Sequence, residues 1–415
     1  MSDPDGAARE IEVACCIAGG GPAGMMLGFL LARAGIGVAV LEKHADFLRD
    51  FRGDTIHPST LELMGELGLL DEFLARPHQK AYSLSAQVGD ESAVVADFSR
   101  LPTRCKFIAF MPQWDFLNFI ADEAARCPGF HLLMRVEADS LIEENGVVAG
   151  LRASTPEGPL AVRAPLVIGA DGRHSTVRRL AGLESDDLGA PMDVLWMRIS
   201  RREGDPAGTF AHVDRGGMLV MIRRDEYWQC AFVIEKGTVD RLRDRGIESF
   251  RADILRFAPY LGERVDDLKS WEDVKLLTVA VDRLRCWHRP GLLCIGDAAH
   301  AMSPIGGVGI NLAVQDAVAA ANILTGSLRR GETSEDVLHR VQRRRALPTR
   351  VTQRMQLIVQ DRVIRRILAS TSRPTLPLAL RLLRKFPALA RIPARLIGIG
   401  VRPEHVLADD AACRP

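Results

Sequence analysis

The sequence predicts an α/β protein in which an antiparallel-sheet domain interrupts a parallel-sheet domain and a helical segment follows both. Three observations predict it. Apolar runs end abruptly in glycine after residue 18, after residue 168 and after residue 295, as buried parallel strands do when they deliver loops at their C-terminal ends. Between 187 and 278 the chain reads as strands without such glycine loops, with turns at 214–217 and 223–226, which is the pattern of an antiparallel meander. Beyond 331 the chain turns basic, with leucine, isoleucine and proline interleaved among arginines, and reads as helical.

A chain of 415 residues with 47% hydrophobic and 26% charged residues has room for two or three domains and the make-up of a folded enzyme. A formal net charge of +1 gives no global reason to expect nucleic acid as a partner. The 8 cysteines show neither zinc-finger nor paired redox spacing, so they read as buried thiols of a reducing compartment, and no metal is expected. Residues 1–5 lack the basic start and apolar core of a signal peptide, and glycine or arginine breaks the longest apolar stretches before they could span a bilayer. The expected location is cytoplasmic.

Residues 11–18 form an apolar run, Gly19, Gly21 and Gly24 fit GxGxxG, and 25–34 are apolar enough for a buried helix that Gly35 stops. Gly19 permits the tight turn, Gly21 lets the backbone approach a pyrophosphate, and Gly24 brings helix close to strand; Pro22 and Ala23 open the helix whose amides face the phosphates. The next strand, 38–41, ends at Glu42, where an acid accepts from ribose hydroxyls, with Lys43 beside it. Further strand-helix units do not follow at once. The sheet instead resumes at 166–170 with Asp171 and Gly172, and again at 291–296 with Gly296 and Asp297, so one site draws on segments far apart in the chain and suits a long dinucleotide.

This order of motifs resembles the flavoprotein aromatic hydroxylases of the para-hydroxybenzoate hydroxylase type, over roughly residues 12–330. The resemblance implies an FAD-binding Rossmann-like domain of the glutathione-reductase type in three parts, 1–80, 103–183 and 281–330. A substrate domain would be built from a hairpin at 81–102 and a sheet at 184–280, with a basic helical region at 331–415. It implies FAD, NADPH or NADH, and dioxygen, and hydroxylation of an apolar aromatic or polycyclic substrate through a flavin C4a-hydroperoxide. Asp297 would meet the ribityl chain, and the turn Pro304, Gly307, Val308, Gly309, Ile310 and Asn311 would aim amides at the N1/O2 edge of the flavin. Val308 departs from the glutamine of many relatives. Arg52 would lie beside pyrophosphate and flavin and Gln113 against the flavin, and Arg52, His57 and Pro304 are the candidates to act at the reacting atoms. The plainer reading of Asp171 and Asp297 is helix capping, and of His57, His174 and His300 local hydrogen bonding.

Trp196, Phe210, Met218, Met221, Trp228 and Phe232 are candidate pocket liners, with core packing as the plainer reading of each. From Arg340 to Arg402 the chain has 15 arginines and Lys385 against Asp361 alone. Such a region either contacts a membrane peripherally or packs beneath the nucleotide domain with its arginines paired to acids elsewhere, and the acids of the first 340 residues favour packing. Other readings are a quinone-precursor hydroxylase at the membrane surface, a flavin-dependent alkene reductase or dehydrogenase, and a flavin-binding non-enzyme. A monomer or homodimer is expected.

Overall fold

The computed structural model describes residues 9–48, 54–206, 208–372 and 374–407. Its centre is a six-stranded sheet in the order His288–Arg289, Leu292–Cys294, Val167–Gly169, Cys15–Ala18, Val38–Glu42, Phe130–Met134, parallel except at the first strand. The inner strands are buried along their whole length, which is why they read as continuous apolar runs. Gly169 pairs with both Ala18 and Cys294, so the three glycine loops leave one edge of the sheet side by side. The helices Pro22–Arg33 and Gly309–Arg329 pack together in the core around the central sheet.

The first apolar run proves to be two strands. Arg9–Glu12 joins a separate four-stranded sheet beside Gly158–Arg163, and only Cys15–Ala18 enters the central one. The break comes where Val13 N donates to Arg163 O and Ala14 N turns to Gly37 O.

A seven-stranded sheet forms the second layer, in the order Lys275–Leu277, Met192–Ser200, Tyr227–Glu235, Gly217–Arg223, Phe210–Asp214, Ser83–Val88, Glu91–Asp97. The expected meander holds for three strands only. Met192–Ser200 pairs with Tyr227–Glu235 rather than with its sequence neighbour Phe210–Asp214, and Phe210–Asp214 instead takes Ser83–Val88 as a parallel partner. Side chains alternate between its faces. Leu195, Met197, Ile199, Leu219, Met221, Trp228, Cys230, Phe232 and Ile234 face Phe250, Ile254 and Phe257 of helix Ile247–Phe257, whose apolar residues fall at positions i, i+4 and i+7.

Helix Glu335–Val359 continues through one π turn, Gln360–Ile364, into Arg365–Leu368, and two short helices, Leu378–Lys385 and Arg391–Gly398, follow. Helix Gly309–Arg329 is apolar and, with the preceding turn, long enough to cross a bilayer by composition, contrary to expectation, but 67% of its most apolar stretch is buried in the protein. Cys15, Cys16, Cys105, Cys230 and Cys294 are buried thiols as expected, whereas Cys286 is exposed and Cys127 is disulfide-bonded.

Candidate functional site

The glycine loop after Cys15–Ala18 is shaped by its neighbours. Gly19 has φ +107°, and a β-carbon there would lie 2.3 Å from Ala170 O, so only glycine lets the first loop pass beneath the loop that carries Asp171. A β-carbon on Gly24 would come within 1.9 Å of Gly19 O, which fixes how closely helix Pro22–Arg33 lies over the strand. Gly21 is different. Its φ of −77° suits any residue, and a β-carbon there would meet no protein atom within 4 Å. The protein alone places no demand for glycine at Gly21; the gap is a cradle in front of a helix N-terminus that no side chain caps.

Glu42 is buried and accepts from Gly20 N at 3.1 Å and His44 N at 2.9 Å, which aims its carboxylate across the loop. Lys43 points away, its Nζ 3.9 Å from Glu137 Oε1 at the surface. Asp171 accepts from Val177 N at 3.0 Å and from Ser175 Oγ, and Ser175 caps helix Thr176–Leu180 through Arg178 N. Its contacts are those of a capping residue. Asp297 is partly exposed with Arg173 Nη2 3.8 Å from its carboxylate, so the second and third loops meet there, Gly172 beside Arg173. Gly296 completes the junction: its β-carbon would sit 3.0 Å from Ala23 Cβ and 3.4 Å from Ala313 Cβ.

The glycine-rich turn begins at Pro304, reverses through Gly306 and Gly307 at φ +78° and +62°, and enters helix Gly309–Arg329 with no side-chain cap at Val308. Gly309, like Gly21, has no protein atom near a built β-carbon, whereas Ile310 is buried. Asn311 ties this turn to the 55–60 segment. Its Oδ1 accepts from His57 N and from Thr60 Oγ1, both at 2.8 Å, and its Nδ2 donates to Thr55 O at 3.1 Å. Thr55 Oγ1 in turn donates to Gly307 O at 2.8 Å.

His57 is wholly buried, with Nδ1 2.8 Å from Ile397 O and no partner at Nε2 among the described residues. Burial pulls its pKa down to about 4, against the Ile397 carbonyl, which favours the charged form. The ring is therefore neutral near pH 7, enclosed, and placed as a structural tie. Arg52 lies outside the described residues. Gln113 opens helix Gln113–Ala125, and its backbone N–H serves the Asp54 carboxylate.

Several residues of this region were not found by sequence reading. Asp316, buried in helix Gly309–Arg329, accepts from Gly296 N at 3.1 Å, pairs with His300 Nε2 at 2.6 Å and with Arg345 Nε at 2.8 Å. Burial pushes the Asp316 carboxyl up, but His300 and Arg345 outweigh it and hold it below the usual range. Arg345 and Arg344 both reach Glu404, so the end of the described chain is anchored to the loop of Asp297. Gln353, Gln356 and Gln360, at helical spacing, hold the 301–305 segment through Ala301 O, Ser303 N and O, Ile305 O and Ser303 Oγ. That spacing was a usable signal.

Asp54 Oδ2 accepts from Arg224 Nη2 at 2.6 Å, and both are buried where the segment before Thr55 meets the seven-stranded sheet. Gln229 completes the group by accepting from Arg224 Nε at 3.0 Å. Burial raises the Asp54 pKa against the lowering effect of Arg224, Gln229 and the Gln113 amide.

Of the six proposed pocket liners, Met221, Trp228 and Phe232 belong to the buried core against helix Ile247–Phe257, and Phe210 packs on the same cluster. Core packing accounts for these four. Trp196 and Met218 lie on the opposite face with Val194, Val220 and Val233, and Ile305 of the glycine-rich turn packs into that cluster.

The chemistry of these donors fits FAD: two uncapped helix starts for phosphate and flavin oxygens, an acid for a ribose and an open cradle at Gly21. A family model described as an FAD binding domain matches residues 12–355. The 6-methylpretetramide 4-monooxygenase of Streptomyces rimosus is 33% identical over 400 residues, covering 94% of this chain and 93% of that protein. A 12-dehydrotetracycline 5-monooxygenase/anhydrotetracycline 6-monooxygenase of Streptomyces rimosus subsp. rimosus is 29% identical over 327 residues, 73% of this chain but 60% of its own length. Among solved structures, PqsL, a probable FAD-dependent monooxygenase from Pseudomonas aeruginosa, superposes with a TM-score of 0.73 at 22% identity, over 86% of this chain and 99% of PqsL. At that identity the likeness speaks to fold.

Proposed function

Because the chain belongs to the FAD binding domain family, we propose that it is an FAD-dependent monooxygenase, using NAD(P)H and dioxygen to hydroxylate an apolar aromatic or polycyclic substrate. The observation that carries the substrate class is the packing of Ile305 into one apolar cluster with Trp196, Met218 and Val220. The turn that would face the flavin ring therefore abuts an apolar sheet face rather than a charged one. Such a surface suits a flat, hydrophobic ring system.

Bound FAD would supply the hydride acceptor and the means of activating dioxygen. The chain's own residues bind, orient and exclude water. The amides behind Gly21 would meet the pyrophosphate, Glu42 the ribose and Asp297 the ribityl chain, while the amides at Gly309 and Ile310 would stabilise negative charge at the flavin edge. The Asn311 bonds hold that turn in place, and the Trp196 face keeps the reacting region dry.

The test is NADH and NADPH oxidation in air by FAD-loaded protein with a panel of polycyclic phenols, with peroxide and labelled-oxygen incorporation followed in parallel. Stimulation by one compound class, with oxygen found in product, is expected. Flavin that stays oxidised with every compound and both nicotinamides, or turnover that yields peroxide alone, refutes the proposal.

A further inference from the structure

The C-terminal helices leave an apolar face and a row of cations open on one surface. Helix Leu378–Lys385 packs inward through the half-buried Leu380, against Val88, Ala93, Val213 and Leu376. Helix Arg391–Gly398 buries Ala394 against Phe98 and Ile108. Outward, Leu378, Leu382, Phe386, Leu389 and Ile392 remain 73%, 44%, 50%, 40% and 54% exposed.

Leu378 and Leu382 stand one helical turn apart, and Arg381 and Lys385 lie three residues beyond each, on the same flank. The expectation that basic residues here pair with acids of the first 340 residues holds for Arg345, with Asp316, and for Arg384, with Glu91, whereas Arg344 reaches Glu404 and Arg365 reaches Asp361, both beyond residue 340. Arg381, Lys385, Arg391 and Arg395 have no carboxylate in salt-bridge reach among the described residues.

We propose that this face docks on an anionic lipid bilayer. Charge decides the occupant: residues 362–403 contain ten arginines and lysines and no acid. A second copy seated face to face would bring the same cations together, because a two-fold interface matches a patch with itself. Anionic headgroups neutralise the cations while the acyl boundary takes the leucines and Phe386. The placement also serves the proposed hydroxylation, on which this consequence alone rests. Ile397, in the helix that exposes Ile392, packs in one cluster with Trp196 and Val220. A lipophilic substrate leaving the bilayer would thus arrive beside the apolar sheet face.

The experiment is cosedimentation of the full-length, FAD-loaded protein with vesicles of phosphatidylglycerol and phosphatidylcholine, against phosphatidylcholine alone, without aromatic substrate. Binding to the anionic vesicles only, released by about 0.5 M salt, is expected. R381Q/K385Q/R391Q should lower partition about 100-fold, taking roughly fivefold per cation. L378S/L382S should lower it at least about tenfold, with unchanged flavin content as the check on folding. Failure of the wild type to bind, equal binding to both vesicles, or variants that bind as the wild type does would overturn the proposal. So would a concentration-dependent dimer that L378S/L382S disperses, which gives the face to a second copy. Since vesicle binding is read without turnover, its failure is distinct from failure of the hydroxylase reading.

Discussion

Asn311 Oδ1 accepts the backbone N–H of His57 at 2.8 Å across 254 positions of sequence, and the same side chain donates to Thr55 O at 3.1 Å. One buried amide thus joins the glycine-rich turn to the segment that follows Arg52. Asn311→Ala leaves His57 N without its acceptor and should cost about 2–4 kcal/mol in urea unfolding. Because the turn itself loosens, FAD affinity should fall by more than tenfold in a fluorescence titration. Unchanged affinity would mean that the turn keeps its shape without Asn311.

Gly24 and Gly21 should respond differently to the same methyl group. Gly24→Ala pushes a β-carbon against Gly19 O, with backbone on both sides, and should destabilise the protein by about 3 kcal/mol or more even without FAD. Gly21→Ala meets no protein atom, so the apo protein should melt within a degree or two of wild type, on the order of 0.5 kcal/mol or less. Its FAD dissociation constant should still rise, since the methyl group fills the cradle. Thermal melts with and without FAD separate the two cases.

These glycines were legible because each is local: a strand, a glycine and a helix start stand within ten residues of one another. The same holds for Glu42, at the end of its strand. What was not legible depends on distant partners. Alternation in Met192–Ser200 separates Trp196 from Leu195 and Met197, but only the pairing with Tyr227–Glu235 and the packing of helix Ile247–Phe257 decide which set is core. Trp228 and Phe232 were candidates for the pocket as well as for the core, where the structure places them, because size and hydrophobicity suit either role. Asp316, Arg345 and Glu404 are each unremarkable in sequence; their meaning lies in being buried together, with partners 29 and 59 positions from Arg345.

Arg224 is such a partner for Asp54. Removing only the cation, as in Arg224→Met, strands a buried carboxylate beside the Gln113 amide and should cost about 3–5 kcal/mol. Asp54→Leu with Arg224→Met should recover a good part of that stability, because two apolar residues need no solvation. The double variant should nevertheless couple NAD(P)H oxidation to product less efficiently, since the pair ties the segment before Thr55 to the seven-stranded sheet. Denaturation together with the ratio of peroxide to product tests both statements. Equal stability of the single and double variants would show that the pair is not what holds the junction.

The pH dependence of stability should carry the mark of His57. Its folded pKa of about 4 lies below the unfolded value near 6.5, so the unfolded chain binds the proton more readily. This contribution is complete above pH 6.5 and falls as pH drops through the window from 6.5 to 4. At about 1.4 kcal/mol for each pH step of that window, roughly 3 kcal/mol is lost by pH 4, and no more below it. His57→Asn should be less stable at pH 7, having lost a well-packed ring, but its stability should decline less steeply across that window by up to one proton. Other groups titrate in both proteins, so the quantity to compare is the difference between their unfolding free energies at each pH. A difference that stays constant from pH 7 to pH 4 would mean that His57 can take up a proton without leaving its site.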